Sequence, residues 1–416
     1  MAHEQRKCSF CGCHPRKVGP VALTDGEDGK VGICRPCARL AIESLDTAQM
    51  KFLLPTRKTL ESLPTPQQVI DHLDQYIVGQ RTAKRKVALA VANHQRRCLD
   101  AEVSKLDLPN PIAGDRLSGV PIEKSNVLML GPSGCGKTAM ARALARFLKV
   151  PFAIADATSL TETGYVGEDV ESVLTRLLIA AEYDVDAAEK GIVYIDEIDK
   201  IASSGATTTH RHDPSGVGVQ QALLKMLEGT VANVMPQGRQ KHPEQQFVQI
   251  DTTNILFICG GAFVGLDEIV VRRNENKSPG LNRTSMSGGD CGVLPEDLRA
   301  YGLIPELIGR LPVVAPVETL SLADLMRILT EPHDALLSQF QKLALYYGIT
   351  LLFSDGAVRT IAERAMQLGT GARGLRAILE EVVEPVFLSI GTINCGKAVL
   401  INEAVVRGKR QQSLAG

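Results

Sequence analysis

The stretch GPSGCGKT, Gly131 to Thr138, constrains this chain more than any other segment of it. It follows a short apolar run, NVLML at 126–130. It opens a segment in which Met140, Ala143, Leu144, Phe147 and Leu148 recur at helical spacing. Strand, glycine-rich turn and helix in that order make the phosphate loop G-x-x-x-x-G-K-[ST]. Its glycines, Gly131, Gly134 and Gly136, let backbone N–H groups converge on phosphates, with Pro132, Ser133 and Cys135 between them. Lys137 neutralises the β- and γ-phosphates, Thr138 offers a hydroxyl to Mg²⁺, and the helix N-terminus adds its dipole. The expected ligand is a nucleoside triphosphate such as ATP.

A phosphate loop requires an acidic partner on a neighbouring strand, and IVYIDEID at 192–199 supplies one. The apolar run ends in carboxylates. Asp196 at its tip reaches the Mg²⁺ through the water shell, and Glu197 is placed to polarise an attacking water. A glutamate directly after the aspartate points to hydrolysis rather than binding alone. Further β-rich runs at 152–155, 191–196, 254–259 and 312–315 alternate with helical periodicity. That alternation predicts an α/β fold with a parallel sheet covered on both faces. From about 320 onward the pattern is helical, with ITLLF at 349–353 as the candidate exception.

The N-terminal end carries a different signal. CSFC (Cys8, Cys11) and CRPC (Cys34, Cys37) are separated by 22 residues. Two such pairs can place four thiolates tetrahedrally around one Zn²⁺. A module of about 40 residues with few large apolar side chains lacks a core, and a structural metal makes good the deficit. Cys13 and His14 lie close enough to be substitute ligands. Lys and Arg number 46 against 47 Asp and Glu, so nothing in the charge balance favours nucleic acid or an anionic membrane. No apolar run has the length of a membrane span, and MAHEQRKCSFCG has no apolar leader core. The expected location is cytoplasmic, where ten cysteines call for metal rather than disulfides.

GYVG at 164–167 sets a tyrosine between glycines, either as a turn whose ring folds onto the core or as an exposed aromatic on a moving loop. In its setting the sequence resembles the ClpX family of zinc-binding AAA+ unfoldases, across nearly the whole chain. The resemblance rests on the paired CxxC module, YIVGQ (76–80), GPSGCGKT, GYVGEDVES, YIDEIDKI, SGVGVQQALLKMLEGT (215–230), LIPELIGRLPVV (303–314) and TGARGLR (370–376). It implies a zinc-binding domain over 1–50, a linker over 51–65, a large AAA+ ATPase domain over 66–318 and a mainly helical small domain over 319–416. It implies a homo-hexameric ring that hydrolyses ATP and threads tagged or unfolded proteins through its pore, with adaptors received at the zinc domain.

Residue by residue, the resemblance assigns Ile77 and Val78 to the adenine, Arg310 to the neighbouring subunit's ATP and Arg373 to the second sensor position. Tyr165 and Val166 become the pore loop that grips polypeptide without sequence preference, and 203–216 a second pore loop. GRQKHP at 238–243 matches the loop at the ring entrance. The family has Arg-Lys-His there, and this chain has Gln240 in place of the Arg, with Arg239 one position earlier. A larger departure lies in RRNENKSPGLNRTSMSGGDCG at 272–292. The Ile-Gly-Phe tripeptide by which the family docks its ClpP peptidase is missing, and Pro279-Gly280-Leu281 is the nearest counterpart. The expectation is weak or absent coupling to an ordinary ClpP, leaving a protein remodeller. A nucleic-acid motor is the competing class, disfavoured by the balanced charge and the aromatic pore loop. The related HslU-type unfoldase lacks the four-cysteine module.

Overall fold

The computed structural model describes residues 7–14, 17, 21–26, 29–41, 62–105, 117, 120–161, 168–203, 214–234, 247–276, 292–389, 398–408 and 413–415. The chain divides into two compact units, 1–62 with 99–122 and 63–98 with 123–416.

In the first unit, β1 (Val21–Gly26) and β2 (Gly29–Cys34) form an antiparallel hairpin with Val21 opposite Cys34. Residues 8–13 curl into a knuckle in which Cys8 N–H donates to Cys13 O at 3.0 Å and Gly12 N–H to Cys8 O at 2.9 Å. Two bonds stitch the knuckle to β2: Ser9 N–H to Gly32 O at 2.7 Å and Gly32 N–H to Ser9 Oγ at 3.0 Å. The buried hydrophobic residues in the described part of 1–62 are Cys8 and Cys34. Thiols thus stand where a larger domain would place aliphatic side chains.

The second unit begins with α1 (Pro66–Asp74). The Thr65 hydroxyl accepts from Gln68 N–H and the Gln68 side chain accepts from Thr65 N–H, a reciprocal cap with Pro66 in the first turn. The elements α2 (Arg81–Lys105), β3 (Val127–Leu130), α3 (Lys137–Leu148), β4 (Phe152–Asp156), α4 (Ser172–Ala180), β5 (Ile192–Asp196), α5 (Pro214–Glu228), β6 (Leu256–Gly261), α6 (Leu266–Asn276), α7 (Pro295–Tyr301), α8 (Pro305–Gly309) and β7 (Val313–Pro316) follow. The strands lie in the order β7-β3-β6-β5-β4 and every pairing is parallel.

The side-chain alternation of a strand splits this sheet between two cores. Leu128, Leu130, Val193, Ile195, Phe257 and Cys259 face one, packed under α4, α5, α7 and α8. Val127, Met129, Ile192, Tyr194, Leu256 and Ile258 face the other, under α1, α2 and α3. Both faces are covered, so β3 and β6 are buried along their whole length, as their unbroken apolar sequences require. The edge strand β4 alternates buried and half-buried residues instead.

Residues 320 onward build a third core. It consists of α9 (Leu322–Thr330), α10 (Leu336–Tyr346), α11 (Asp355–Gln367) and α12 (Ala372–Leu388), with β8 (Thr350–Phe353), β9 (Ala398–Ile401) and β10 (Ser413–Ala415). Ser321 and Ser354 cap α9 and α11, accepting from Asp324 N–H and Ala357 N–H. The region is mainly helical as expected, and the anticipated strand at 349–353 is β8. It also pairs in parallel with β9, which pairs antiparallel with β10, two strands that the helical reading passed over. Among the described residues no helix is long and apolar enough to cross a membrane.

One buried polar residue ties the lower edge of the sheet together. Asn126 is 1% exposed. Its Oδ1 accepts from Phe257 N–H at 3.3 Å, and its Nδ2 donates to Arg310 O at 3.0 Å and Leu227 O at 3.3 Å. Asn126→Ala leaves these buried groups without partners and is expected to cost about 1–3 kcal/mol. Chemical denaturation checks this; a loss under about 0.5 kcal/mol, the scatter of ordinary surface substitutions, would show that the bonds do not stabilise the edge.

Candidate functional site: a nucleotide cavity and a four-thiol cluster

The loop from Gly131 to Thr138 leaves the C-terminal end of β3 and enters α3, whose N-terminus no side chain caps. It borders a cavity of ≈ 550 Å³ lined by residues that include Ile77, Gly134, Lys137, Thr138, Asp196 and Arg373. In a parallel sheet the crevice beyond the strand ends, where strand order reverses, is where ligands bind. Here β3 and β5 bring their tips to it with β6 between them.

Lys137 is buried, and its Nζ donates to Gly131 O and to Pro132 O, the latter at 2.9 Å. Cys135 donates its thiol to Pro132 O at 2.7 Å, and burial raises its pKa, so it stays an uncharged part of the loop. Thr138 Oγ1 donates to Asp196 Oδ2 at 3.1 Å. The other oxygen, Oδ1, accepts from Tyr194 OH at 3.2 Å and from Glu197 N–H at 3.0 Å. A hydroxyl and a carboxylate converging beside a lysine form a hard-oxygen site of the sort that suits Mg²⁺. Burial, with the Asp196 charge next in weight, raises the Tyr194 phenol pKa, so this tyrosine remains a neutral donor. Glu197 is exposed and has a left-handed backbone, φ 56°. Non-glycine residues in that region cluster where a side chain must be held for function.

The far wall comes from residues 370–373. Ala372 N–H donates to Gly134 O at 3.1 Å, and Arg373 NH1 donates to Ser133 Oγ at 3.0 Å. A Cβ on Gly134 would lie 2.4 Å from Thr370 O, and Gly134 has φ +78°. The glycine serves this backbone approach as well as the phosphate side. Ile77 lines the cavity, while Val78 lies with Ile77 in an adjoining one of ≈ 660 Å³. Buried Lys84 donates to Ile77 O and fixes that segment. Gln80 pairs twice with the backbone of Glu318: its Nε2 donates to Glu318 O at 2.8 Å, and its Oε1 accepts from Glu318 N–H at 2.7 Å. Arg310 stands apart from this cavity. It is half exposed and pairs with Glu228 at 2.9 Å. Tyr165 and Val166, the second pore loop between 204 and 213, the segment 238–243 and Leu281 lie outside the described residues.

The sulfur atoms of Cys8, Cys11, Cys34 and Cys37 all lie within 4.8 Å of one another. Cys11 and Cys34 Sγ are 3.8 Å apart, which is the edge of a tetrahedron with arms of about 2.3 Å, the Zn–S length. Cys34 N–H donates to Cys8 Sγ at 3.3 Å. The Cys11 backbone N–H, foremost among its donors, pulls the Cys8 thiol down to about 6. The crowding thiols of Cys34 and Cys11 push Cys37 up to about 12. Four sulfurs this close cannot all be thiolates unless a cation sits among them, so the donor set fits a thiophilic metal. Cys13 and His14 are not members of the group.

Sequence comparison decides the family. Residues 122–314 match the AAA domain (Cdc48 subfamily), and 320–389 match the C-terminal, D2-small domain, of ClpB protein. The ATP-dependent Clp protease ATP-binding subunit ClpX of Borrelia duttonii (strain Ly) is 44% identical over 401 residues, 95% of this chain and 90% of that one. That of Treponema denticola is 44% identical over 406 residues, covering 96% and 93%. The Porphyromonas gingivalis protein of the same name is 44% identical over 388 residues, covering 91% and 90%. The chain belongs to the ClpX family. It is therefore an AAA+ ATPase.

Sequence reasoning missed Ser133 as the partner of Arg373 and Gln80 as the partner of Glu318, since each pair joins residues about 240 positions apart. It also read Tyr194 as one more apolar strand residue.

The cysteine cluster is expected to take up one thiophilic divalent ion per chain. Chelation should unfold the knuckle and hairpin at 8–37 while leaving ATP binding intact. Elemental analysis beside circular dichroism with and without chelator checks this; no bound metal in reduced protein would refute it.

Proposed function

We propose that the chain is one subunit of a homo-hexameric ClpX-type unfoldase that couples ATP hydrolysis to pulling polypeptides through a central pore. The observation that carries the reading is the meeting of Lys137, Thr138, Asp196 and Arg373 at one cavity. The 44% identity along nearly the whole chain to curated ClpX subunits supports it.

In this reading Lys137 and the loop amides bind the β- and γ-phosphates, and Ile77 and Val78 pack on the base. Thr138 and Asp196 would hold Mg²⁺, whose contribution when bound is to neutralise developing phosphate charge. Glu197 accepts the proton of the attacking water. Arg373 reports the γ-phosphate to the small domain, and Arg310 is offered to the adjacent subunit's nucleotide, in keeping with its position away from its own cavity. Zn²⁺ is the ion assigned to Cys8, Cys11, Cys34 and Cys37, as a structural metal. Tyr165 and Val166 grip the translocating chain, and adaptors dock at the zinc module.

Glu197→Gln should retain ATP binding and lower turnover about 10²–10⁴-fold, the usual worth of a general base. Lys137→Ala should lose tight ATP binding, and Tyr165→Ala should keep ATP turnover while failing to unfold a tagged substrate. Phosphate release, nucleotide fluorescence and an unfolding assay read the three. Wild-type turnover in the Gln variant removes Glu197 from its role, and normal unfolding by Tyr165→Ala removes the pore assignment.

The relatives are named as subunits of a Clp protease. Against that stands the lack of Ile-Gly-Phe between 272 and 292. An aromatic anchor lost from a desolvated pocket commonly costs at least about 2 kcal/mol, and a ring of such loops multiplies the loss. Coupling to a ClpP of the common kind is accordingly read as weak. Degradation of a tagged substrate with ClpP from the same organism and from a typical system tests this. Robust ATP-dependent degradation that Leu281→Ala abolishes would overturn it.

A further inference from the structure

We propose that Tyr194 is a positioning residue of the ATPase site, fixing the Asp196 carboxylate so that one oxygen faces Thr138. This rests on the reading of Asp196 and Thr138 as the pair that holds the nucleotide's Mg²⁺.

Tyr194 sits in the middle of β5, opposite Ile258 of β6, and is completely buried. Its strand neighbours Ile192, Val193 and Ile195 are aliphatic. Packing alone asks for nothing polar at this position, and a buried hydroxyl must find a partner or forfeit its hydration. The partner is Asp196 Oδ1, at 3.2 Å. Tyr194 and Asp196 are two residues apart in a strand, so their side chains leave the same face and the phenol runs along the sheet toward the strand tip.

The adjacent strand makes room for it. Gly260 lies two residues beyond Ile258 and so on the same face of β6. A Cβ at Gly260 would lie 2.2 Å from the Tyr194 hydroxyl and 2.9 Å from its Cζ. Any side chain at 260 would therefore evict the hydroxyl. The tip of β6, which stands between the strand of the phosphate loop and the strand of Asp196, carries Gly260 and Gly261 and brings no polar side chain of its own. The tyrosine reaches in from the next strand and supplies one.

The effect falls on the carboxylate. Oδ1 is held by the Tyr194 hydroxyl and by Glu197 N–H at 3.0 Å, so Oδ2 is the oxygen left to meet Thr138 Oγ1 at 3.1 Å. Two donors on one oxygen fix the rotation of the group. Outer partners of this kind govern how well an inner ligand holds its ion, and their loss commonly weakens metal affinity about 10–100-fold.

Tyr194→Phe removes the hydroxyl and keeps the ring. Binding of a fluorescent ADP is measured with and without Mg²⁺, beside ATP turnover over a range of Mg²⁺ and a thermal melt. The expected result is unchanged melting and unchanged Mg²⁺-free binding, with a Mg²⁺ half-saturation raised roughly tenfold and kcat restored at saturating Mg²⁺. Gly260→Ala, which displaces the hydroxyl without deleting it, should raise the Mg²⁺ requirement in the same direction. An unchanged requirement in Tyr194→Phe would overturn the proposal, as would a loss of turnover that no Mg²⁺ concentration repairs. Asp196→Asn separates the two levels of the argument. If it too leaves the Mg²⁺ requirement unchanged, the assignment of the ion-holding pair fails. If it raises the requirement and Tyr194→Phe does not, only the role of Tyr194 fails.

Discussion

A backbone-to-backbone contact forms one wall of the cavity beside the phosphate loop, and the arrangement around it depends on that contact. Gly134 O accepts from Ala372 N–H at 3.1 Å, with Thr370 O only 2.4 Å from where a Cβ of residue 134 would be. Only at that spacing can α12 begin beside the phosphate loop and Arg373 reach Ser133 Oγ. The glycines of a phosphate loop are usually explained from the ligand side. Here one of them also lets the small helical core press against the loop, so the cavity has walls from two packed bodies rather than one. Any change in how those bodies meet changes the shape of the cavity.

Within the cavity the polar atoms are arranged by covalent and hydrogen-bonded neighbours more than by charge. Lys137 curls onto the carbonyls of its own loop. Asp196 is shared among a hydroxyl, a phenol and a backbone amide. Glu197 is held by backbone strain, φ 56°, at the strand end, with its side chain exposed. The four-cysteine module follows a different logic. Among its described residues the buried hydrophobic ones are Cys8 and Cys34, two members of the four-sulfur cluster, so a metal bound there would stabilise fold and site together.

What could be read from the sequence was what lies close together in it. The phosphate loop, the Asp196–Glu197 strand end and the paired CxxC motifs are local patterns; the first two stand in the expected strand–loop–helix and strand-end positions, and the third brings four sulfurs together. The five strands of the parallel sheet were found to within two residues, because each carries an unbroken apolar run. β9 and β10 escaped because they lie in the stretch read as helical from about 320 onward. The partnership of Arg373 with Ser133 escaped because only the tertiary fold brings them together. Tyr194 escaped for a subtler reason. Its signal is a missing side chain, at Gly260 on another strand, and no window along the chain contains both.

The amide of Gln80 braces a connector. Its two bonds to Glu318 copy the pairing of one strand with another, using a side chain in place of a strand. Glu318 lies in the short connector between β7 and α9, next to Val317, whose N–H donates to Leu130 O at 2.6 Å just before the phosphate loop. Pulling the connector away would strand the buried amide of Gln80 and the main chain of Glu318 together, a cost no single-bond tether would impose. Gln80 is also three residues from Ile77. The connector between the sheet and the small helical core is thus splinted to the segment that carries Ile77, and the stretch without that splint lies on its far side, between Glu318 and the Ser321 cap of α9. Ile77, Gln80 and the start of the connector are thereby tied into a single piece.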